Sequence, residues 1–223
     1  MANAVTKVNS IAIANIAKIN GQNDSDLAKL NTLEFTSAPA DAHTLIASQT
    51  SATESNVSIT FDTSSLGSYD VLLFDWINFD STDGADDVLS FQVTTSSYSY
   101  NAYITSTYFR GYHTEAGASG GLAYYVSGDQ ENADQVYQWL GAYMDEGEDD
   151  SSSSGNLTIF GHSSGTYVKH FMSRSSTEAS AAAFDAYVGG FVNTPEAITA
   201  VQFKALGGGT FTGTIKLYGL ATS

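Results

Sequence analysis

The residues best placed by type and spacing to do chemistry are Gly161-His162-Ser163-Ser164-Gly165, which follow the apolar run Leu157 to Phe160. They satisfy Gly-x-Ser-x-Gly, the pattern that exposes a nucleophilic serine on a sharp turn between a strand and a helix. That chemistry needs a helix after the turn, and then an acid and a base further along the chain. Here Thr166 to Met172 continues as alternating Tyr, Val, Lys, His, Phe and Met, a strand pattern, and His170 within it is the sole later histidine. The expected structure is a hairpin turn, with a serine hydrolase acting through Ser163 as the lesser alternative.

Asp80, Asp83, Asp86 and Asp87 flank Gly84 and supply the oxygen ligands that calcium prefers. Their spacing departs from the helical calcium loop, and Asp-Gly sequences are ordinary between strands, so a turn without metal is expected and calcium is the alternative. The acidic run Asp145 to Asp150, with the serines to Ser154, reads as a solvated loop. His43, His113, His162 and His170 show no ligand spacing. Paired carboxylates for glycoside hydrolysis would have to come from facing strands; Asp75 and Asp87 are candidates, but spacing alone selects no pair. No catalytic residue, metal or cofactor is expected.

Tyr98, Tyr100, Tyr103, Tyr108, Tyr112, Tyr124 and Tyr125 are interleaved with Ser, Asn, Thr and Gly, the composition of adaptable recognition surfaces. They are candidates for stacking a glycan, against the plainer reading that they fill the ends of a sandwich or a subunit interface.

The elements that must carry these residues show period-two alternation. Val57, Ile59 and Phe61 alternate with polar residues, as do Leu89, Phe91 and Val93, then Val201, Phe203 and Ala205, then Ile215 and Leu217. Val71 to Phe79 is apolar on both faces apart from Asp75 and Asn78, and is expected to be a strand covered on both sides, by the opposite sheet and by a loop or neighbouring subunit. Further strands are expected at Tyr98 to Thr105, Thr107 to Tyr112, Gly121 to Val126, Leu157 to Phe160, Thr166 to Met172 and Phe184 to Val188. Gln130 to Met144 admits a helix, but Tyr, Trp and Val favour a strand from Val136 to Tyr143. Many short strands and no convincing long helix indicate an all-β fold, an antiparallel β-sandwich expected to be of jelly-roll type.

Ahead of that body stands a repeat. Val5-Thr6-Lys7-Val8-Asn9, Ile16-Ala17-Lys18-Ile19-Asn20 and Leu27-Ala28-Lys29-Leu30-Asn31 copy one unit at a spacing of eleven residues. A unit this short closes no core, so Val5, Lys7, Val8, Ile16, Lys18, Ile19, Leu27, Lys29 and Leu30 are expected to dock on sister copies or on a partner. An eleven-residue period also suits a supercoiled helix, but Asn20-Gly21 and the polar residues to Ser25 break it. Short pieces joined by turns are expected instead: a strand near Ser10 to Ala14, Gly21 in a left-handed position, and one helical turn from Asp26 to Leu30 capped by Asp24 or Ser25. A frayed tail is the plain alternative. The division expected is 1–34 repeat, 35–55 connection, 56–223 sandwich.

Composition narrows the partners. Lys7, Lys18 and Lys29 balance Asp24, Asp26 and Glu34, so the net charge of -16 resides entirely in the body, which repels nucleic acid and anionic membranes. The absence of cysteine removes disulfides and thiolate metal sites. No secretory apolar segment and no membrane-length apolar run is present, so retention in the cytoplasm or release by lysis is expected.

These segments resemble virion proteins of tailed bacteriophages, especially small fibre and decoration proteins of marine phages. The resemblance is carried by the Lys-aliphatic-Asn repeats with Ile19-Asn20-Gly21, and by Phe74-Asp75-Trp76-Ile77-Asn78 leading to Thr82-Asp83-Gly84-Ala85. Tyr167-Val168-Lys169-His170-Phe171 and the closing Gly213-Thr214-Ile215-Lys216-Leu217-Tyr218-Gly219-Leu220 complete it. It implies a non-enzymatic virion structural protein that oligomerises, expected as a homotrimer, with its N-terminus on a capsid or tail protein and its sandwich facing outward. It supports the hairpin at residues 157–173 and carries over no catalytic or metal residue. The chain departs from long fibres in having no shaft, so capsid decoration or a head fibre fits as well as a short tail fibre. The alternative is a host-receptor or carbohydrate-binding module that reads a surface glycan.

Overall fold

Asn is the residue after glycine that most readily turns backward in a hairpin, and it closes each copy of the repeat. The copies accordingly form hairpins: β1 (Lys7–Val8) pairs with β2 (Ile11–Ala12), β3 (Lys18–Ile19) with β4 (Gln22–Asn23), and β5 (Lys29–Leu30) with β6 (Leu33–Glu34). Lys7, Lys18 and Lys29 each open the first strand of their hairpin. Leu30 therefore ends in a strand, which corrects the helical turn expected to run through it. The computed structural model describes residues 43–81, 87–132, 135–144 and 151–220, except the side chains of 53–55, and the backbones of these six short strands. The chain divides into two units, one containing Met1–Ala42 and the other His43–Ala221.

The second unit is an antiparallel sandwich. Its strands are β7 (Thr44–Asn56), β8 (Ile59–Asp62), β9 (Val71–Ser81), β10 (Leu89–Thr94), β11 (Ile104–Thr114), β12 (Gly120–Tyr124), β13 (Gln138–Trp139), β14 (Ser152–Phe160), β15 (Lys169–Ala179), β16 (Ala182–Val192), β17 (Ala200–Ala205) and β18 (Phe211–Leu220). An eight-stranded sheet runs β12-β11-β16-β15-β14-β9-β18-β7, and a four-stranded sheet runs β13-β10-β17-β8. The inward residues of the two sheets interlock between them: Phe61, Phe74 and Phe203 meet with ring centroids 5.2 to 6.2 Å apart, and Phe91 meets Phe171 edge-on at 5.1 Å. Trp76, Tyr108 and Phe79 are fully buried beside them.

Several sequence expectations are corrected. β7 lies inside the stretch read as a connection, because its weakly patterned residues pair along β18 rather than showing an apolar face of their own. Val71 to Phe79 is covered by the opposite sheet on one side; on the other, where a loop or neighbouring subunit was expected, Val71, Leu73 and Asp75 are half-buried and Ile77 is exposed in the single chain. Ser152 to Ser154, expected in a loop, begin β14, with Ser153 buried and accepting the Trp76 indole N–H at 3.2 Å. Residues 104–114 form one strand where a break was expected. Residues 136–143 hold only the two residues of β13; Leu140 N–H donates to the Leu89 carbonyl, while buried glutamines meet other carbonyls, Gln92 Nε2 those of Ala102 and Val136 and Gln138 Nε2 those of Gly128 and Trp139.

Candidate functional site

Strict alternation in β15 turns Phe171, Ser173, Ser175 and Thr177 toward the core and His170, Met172, Arg174 and Ser176 outward. Antiparallel register then aligns outward residues across the whole eight-stranded sheet in one row: Tyr124, Phe109, Tyr187, Arg174, Asn156, Asp75, Lys216 and Ser48. Within it Phe109 and Tyr187 stack with centroids 5.0 Å apart and planes 6° apart. The Arg174 guanidinium lies 4.9 Å from the other ring of that pair, Tyr187, and grips Asp185 with two bonds, Nε to Oδ1 at 3.0 Å and a terminal nitrogen to Oδ2 at 2.9 Å. The Tyr187 hydroxyl donates to the same Oδ2 at 2.9 Å.

This network sets its own charge states. The Arg174 hydrogen bonds hold the Asp185 carboxyl below the usual carboxylate range, and the bond to Asp185 raises the Tyr187 phenol. Asp75, further along the row, is raised by burial, partly offset by His43 and Lys216. Beside the row runs a groove of about 500 Å³ lined by Asn156, Arg174, Ser176, Asp185, His113 and Gly111, among others. Its floor is open because Gly111 stands between Asp185 and Leu122 in the register. A second groove of about 300 Å³ lies on the other side, against Thr158, Phe160 and Met172. The lining of the first groove brings the Asn156 amide, the Ser176 hydroxyl and the Asp185 carboxylate to one open surface. With Arg174 already neutralised by Asp185, the groove carries no strong attraction for an anion.

The tyrosines singled out by sequence do not gather into one surface. Tyr108 is in the core with its hydroxyl on the Gly141 carbonyl at 3.0 Å, and burial pushes its phenol up to about 12. Tyr125 packs on Tyr108 and Trp139 under the Arg110 guanidinium, 4.1 Å from its ring. Tyr98 and Tyr103 meet edge-on, Tyr100 occupies a left-handed turn position at φ 55, and Tyr112 stacks on Phe184. Tyr124 alone of the seven joins the outward row, its hydroxyl donating to Asp129 at 2.5 Å.

Gly161 to Gly165 lies between antiparallel strands β14 and β15. Gly161 takes φ 58 and donates its N–H to the Asp70 carbonyl at 2.7 Å, and the Ser164 hydroxyl accepts the N–H groups of Thr166 and Tyr167. This is the geometry of a hairpin connection, not of a strand leading into a helix. Ser163 is exposed while the neighbouring His162 ring is buried. Among the acidic candidates, Asp87 is buried and its oxygens accept from Val88 N–H, Gly207 N–H and the Ser81 hydroxyl, which leaves Asp75 and Asp87 in unrelated settings. Asp83, Asp86 and residues 145–150 lie outside the described residues, as do Val5, Ile16 and Leu27. Among the described residues no three His, Asp or Glu side chains group as metal ligands, and no helix is long and apolar enough to cross a membrane.

Arg174, Asp185, Tyr187, Phe109 and Asn156 were not singled out by sequence. Their only local signal is the alternation of β15 and β16; what unites them is register between strands distant in sequence. Compared with known protein families, curated proteins and solved structures, the chain matches none.

Proposed function

We propose that this chain is a non-enzymatic structural protein of a tailed-phage virion, a capsid decoration, head fibre or short tail fibre. The three hairpins dock it to a capsid or tail protein and to sister copies, and the acidic sandwich is displayed outward. The observation that carries this reading is the identical hairpin recurring every eleven residues, each opening on a lysine. A two-stranded hairpin of this length is not stable alone, so three in series call for a surface to add to. The body's negative charge keeps displayed copies apart from nucleic acid and from each other's faces. Deletion of residues 1–34 should leave a folded body that fails to join emptied particles; incorporation of the truncated protein would sink the proposal.

The groove beside Arg174 favours a second reading, a module that reads a neutral host glycan. It relocates glycan contact from the dispersed tyrosines to Asn156, Ser176, Asp185 and His113. Asn156→Ala and Asp185→Ala should then abolish host adsorption with assembly intact, and unchanged adsorption would remove this reading.

A further inference from the structure

The eight-stranded sheet has two edges, and they are defended differently. At one end β7 reaches across to the other sheet, with Gln49 Nε2 donating to the Thr60 carbonyl at 2.7 Å. In the small sheet β13 is two residues long and β8 is four and bears Asp62. β12, at the remaining edge, is five residues long but lacks charge and proline: from Ser119 to Val126 there is neither, and every residue of the strand is exposed.

Its unpaired backbone groups can be identified. Tyr125 N–H donates to the Tyr108 carbonyl and Thr114 N–H to the Ser119 carbonyl, so the pairs that exchange hydrogen bonds with β11 fall on Ser119, Gly121, Ala123 and Tyr125. The N–H and C=O groups of Gly120, Leu122 and Tyr124 therefore point away from β11, and no partner among the described residues meets them. Leu122, 74% exposed, and Tyr124, 53% exposed, stand on the outward face beside them.

We infer that β12 is the site at which two copies of this chain join, strand to antiparallel strand about a two-fold axis through Leu122. Free groups at three alternate positions, symmetric about the middle one, are self-complementary: Leu122 pairs with Leu122 of the second copy, and Gly120 with Tyr124 in both directions. All six outward N–H groups of the pair then find carbonyls, the outward faces of both sheets become continuous, and the row through Tyr124, Phe109 and Tyr187 runs on into the second copy. The occupant is a second copy rather than an unrelated peptide, because Ser119 to Val126 carry no charge, so two bodies of charge -16 can pair along this strand without like charges directly opposite each other. A strand edge alone buries less than the ~1,200–2,000 Å² of a stable interface, so the pairing is concentration-dependent. It uses a surface other than the hairpin repeat and does not depend on how the repeat docks.

The chain has no cysteine, so single cysteines report on proximity. Residues paired in this way hold their Cα atoms about 5.5 Å apart, inside the ~4.4–6.8 Å range a disulfide spans. In the full chain, Leu122→Cys should oxidise to a linked dimer at least about tenfold faster than Tyr167→Cys, a position of equal exposure at 74%, because pairing raises its effective concentration. Leu122→Pro removes one outward N–H without touching the ladder to β11, and should lower the sedimentation mass at high concentration while leaving circular dichroism unchanged. Hydrogen exchange on the unaltered chain keeps the test independent of any variant's folding: the Gly120, Leu122 and Tyr124 amides should slow as concentration rises, while those of Gly121 and Ala123 stay slow throughout. Equal oxidation rates for the two cysteines, or exchange at Leu122 that is fast at every concentration, would overturn the inference. Slowing at Leu122 that requires a different protein would overturn the choice of partner. Failure of particle docking on repeat deletion affects none of these readouts.

Discussion

His162 sits 1% exposed, and burial lowers its pKa from the ordinary 6.5, a shift that the neighbouring Thr63 backbone and Asp70 only partly oppose. The folded state therefore resists a proton that the unfolded chain accepts, so stability is full above pH 6.5 and falls as pH drops below it. His162→Leu should flatten the urea midpoint between neutrality and pH about 5. A second loss belongs to Glu196, held down to about 2 by the hydroxyls of Ser97, Thr95 and Ser96. Its contribution is present above its ordinary 4.5 and disappears as pH falls toward 2, so its loss begins at lower pH than that of His162. Glycines give a sharper contrast. A Cβ on Gly190 would lie 2.3 Å from the Thr105 carbonyl oxygen and 2.8 Å from the Ser106 Cα, both backbone atoms, whereas at Gly165 it would meet nothing within 4 Å. Gly190→Ala should cost about 1–3 kcal/mol or more by denaturant titration, and Gly165→Ala close to nothing. Sequence displays these glycines alike; only the approach of β11 to β16 separates them.

At the scale of elements, the β15–β16 hairpin turns through Ser180 and Ala181 at φ 52 and 53, closing on the pair Ala179 and Ala182. Two left-handed residues form the tight turn that Asn-Gly suits, and neither Ser nor Ala is at ease there. Ser180→Asn with Ala181→Gly should raise stability by about 1–2 kcal/mol, read as a higher urea midpoint at unchanged slope. The strength of the flanking strands explains why the poorer turn is tolerated: eleven residues pair on each side without a slip. Period-two alternation made β8, β17 and β18 legible, since each buries one face more than the other, and β10 legible by its sequence alone, because Ser90 and Gln92 on its second face are buried as well. It missed β7, whose residues are mixed on both faces, and it misplaced 130–144, where only β13 pairs as a strand and buried Gln92 and Gln138 meet backbone carbonyls. The pattern reports regular alternation, which β7 lacks and which 130–144 breaks by burying Trp139, Leu140, Ala142 and Met144 without a period of two.

For the whole molecule, charge and packing oppose each other. Acidic groups spread over a body of net charge -16 repel at low ionic strength, so sodium chloride in the tenths-molar range, where the screening length is about 8–10 Å or less, should raise the thermal midpoint. A midpoint that falls with salt would mean that local pairs such as Arg174 with Asp185 outweigh the overall repulsion. Against that repulsion stands the aromatic core joining the two sheets. Phe203→Ala, which empties the space between Phe61 and Phe74, should cost about 3–5 kcal/mol. The sequence by itself determined the all-β class, the repeat with its three lysines, the segregation of charge into the body and the hairpin at 161–165. Each of these is written in residues close together along the chain. Tertiary structure alone decided the division of strands into sheets of eight and four, the burial of Tyr108, the groove beside Arg174 and Asp185, and the unguarded edge at β12. Those depend on which distant strands lie side by side and in what register, and an alternating pattern is compatible with many pairings until packing of the two inward faces selects one.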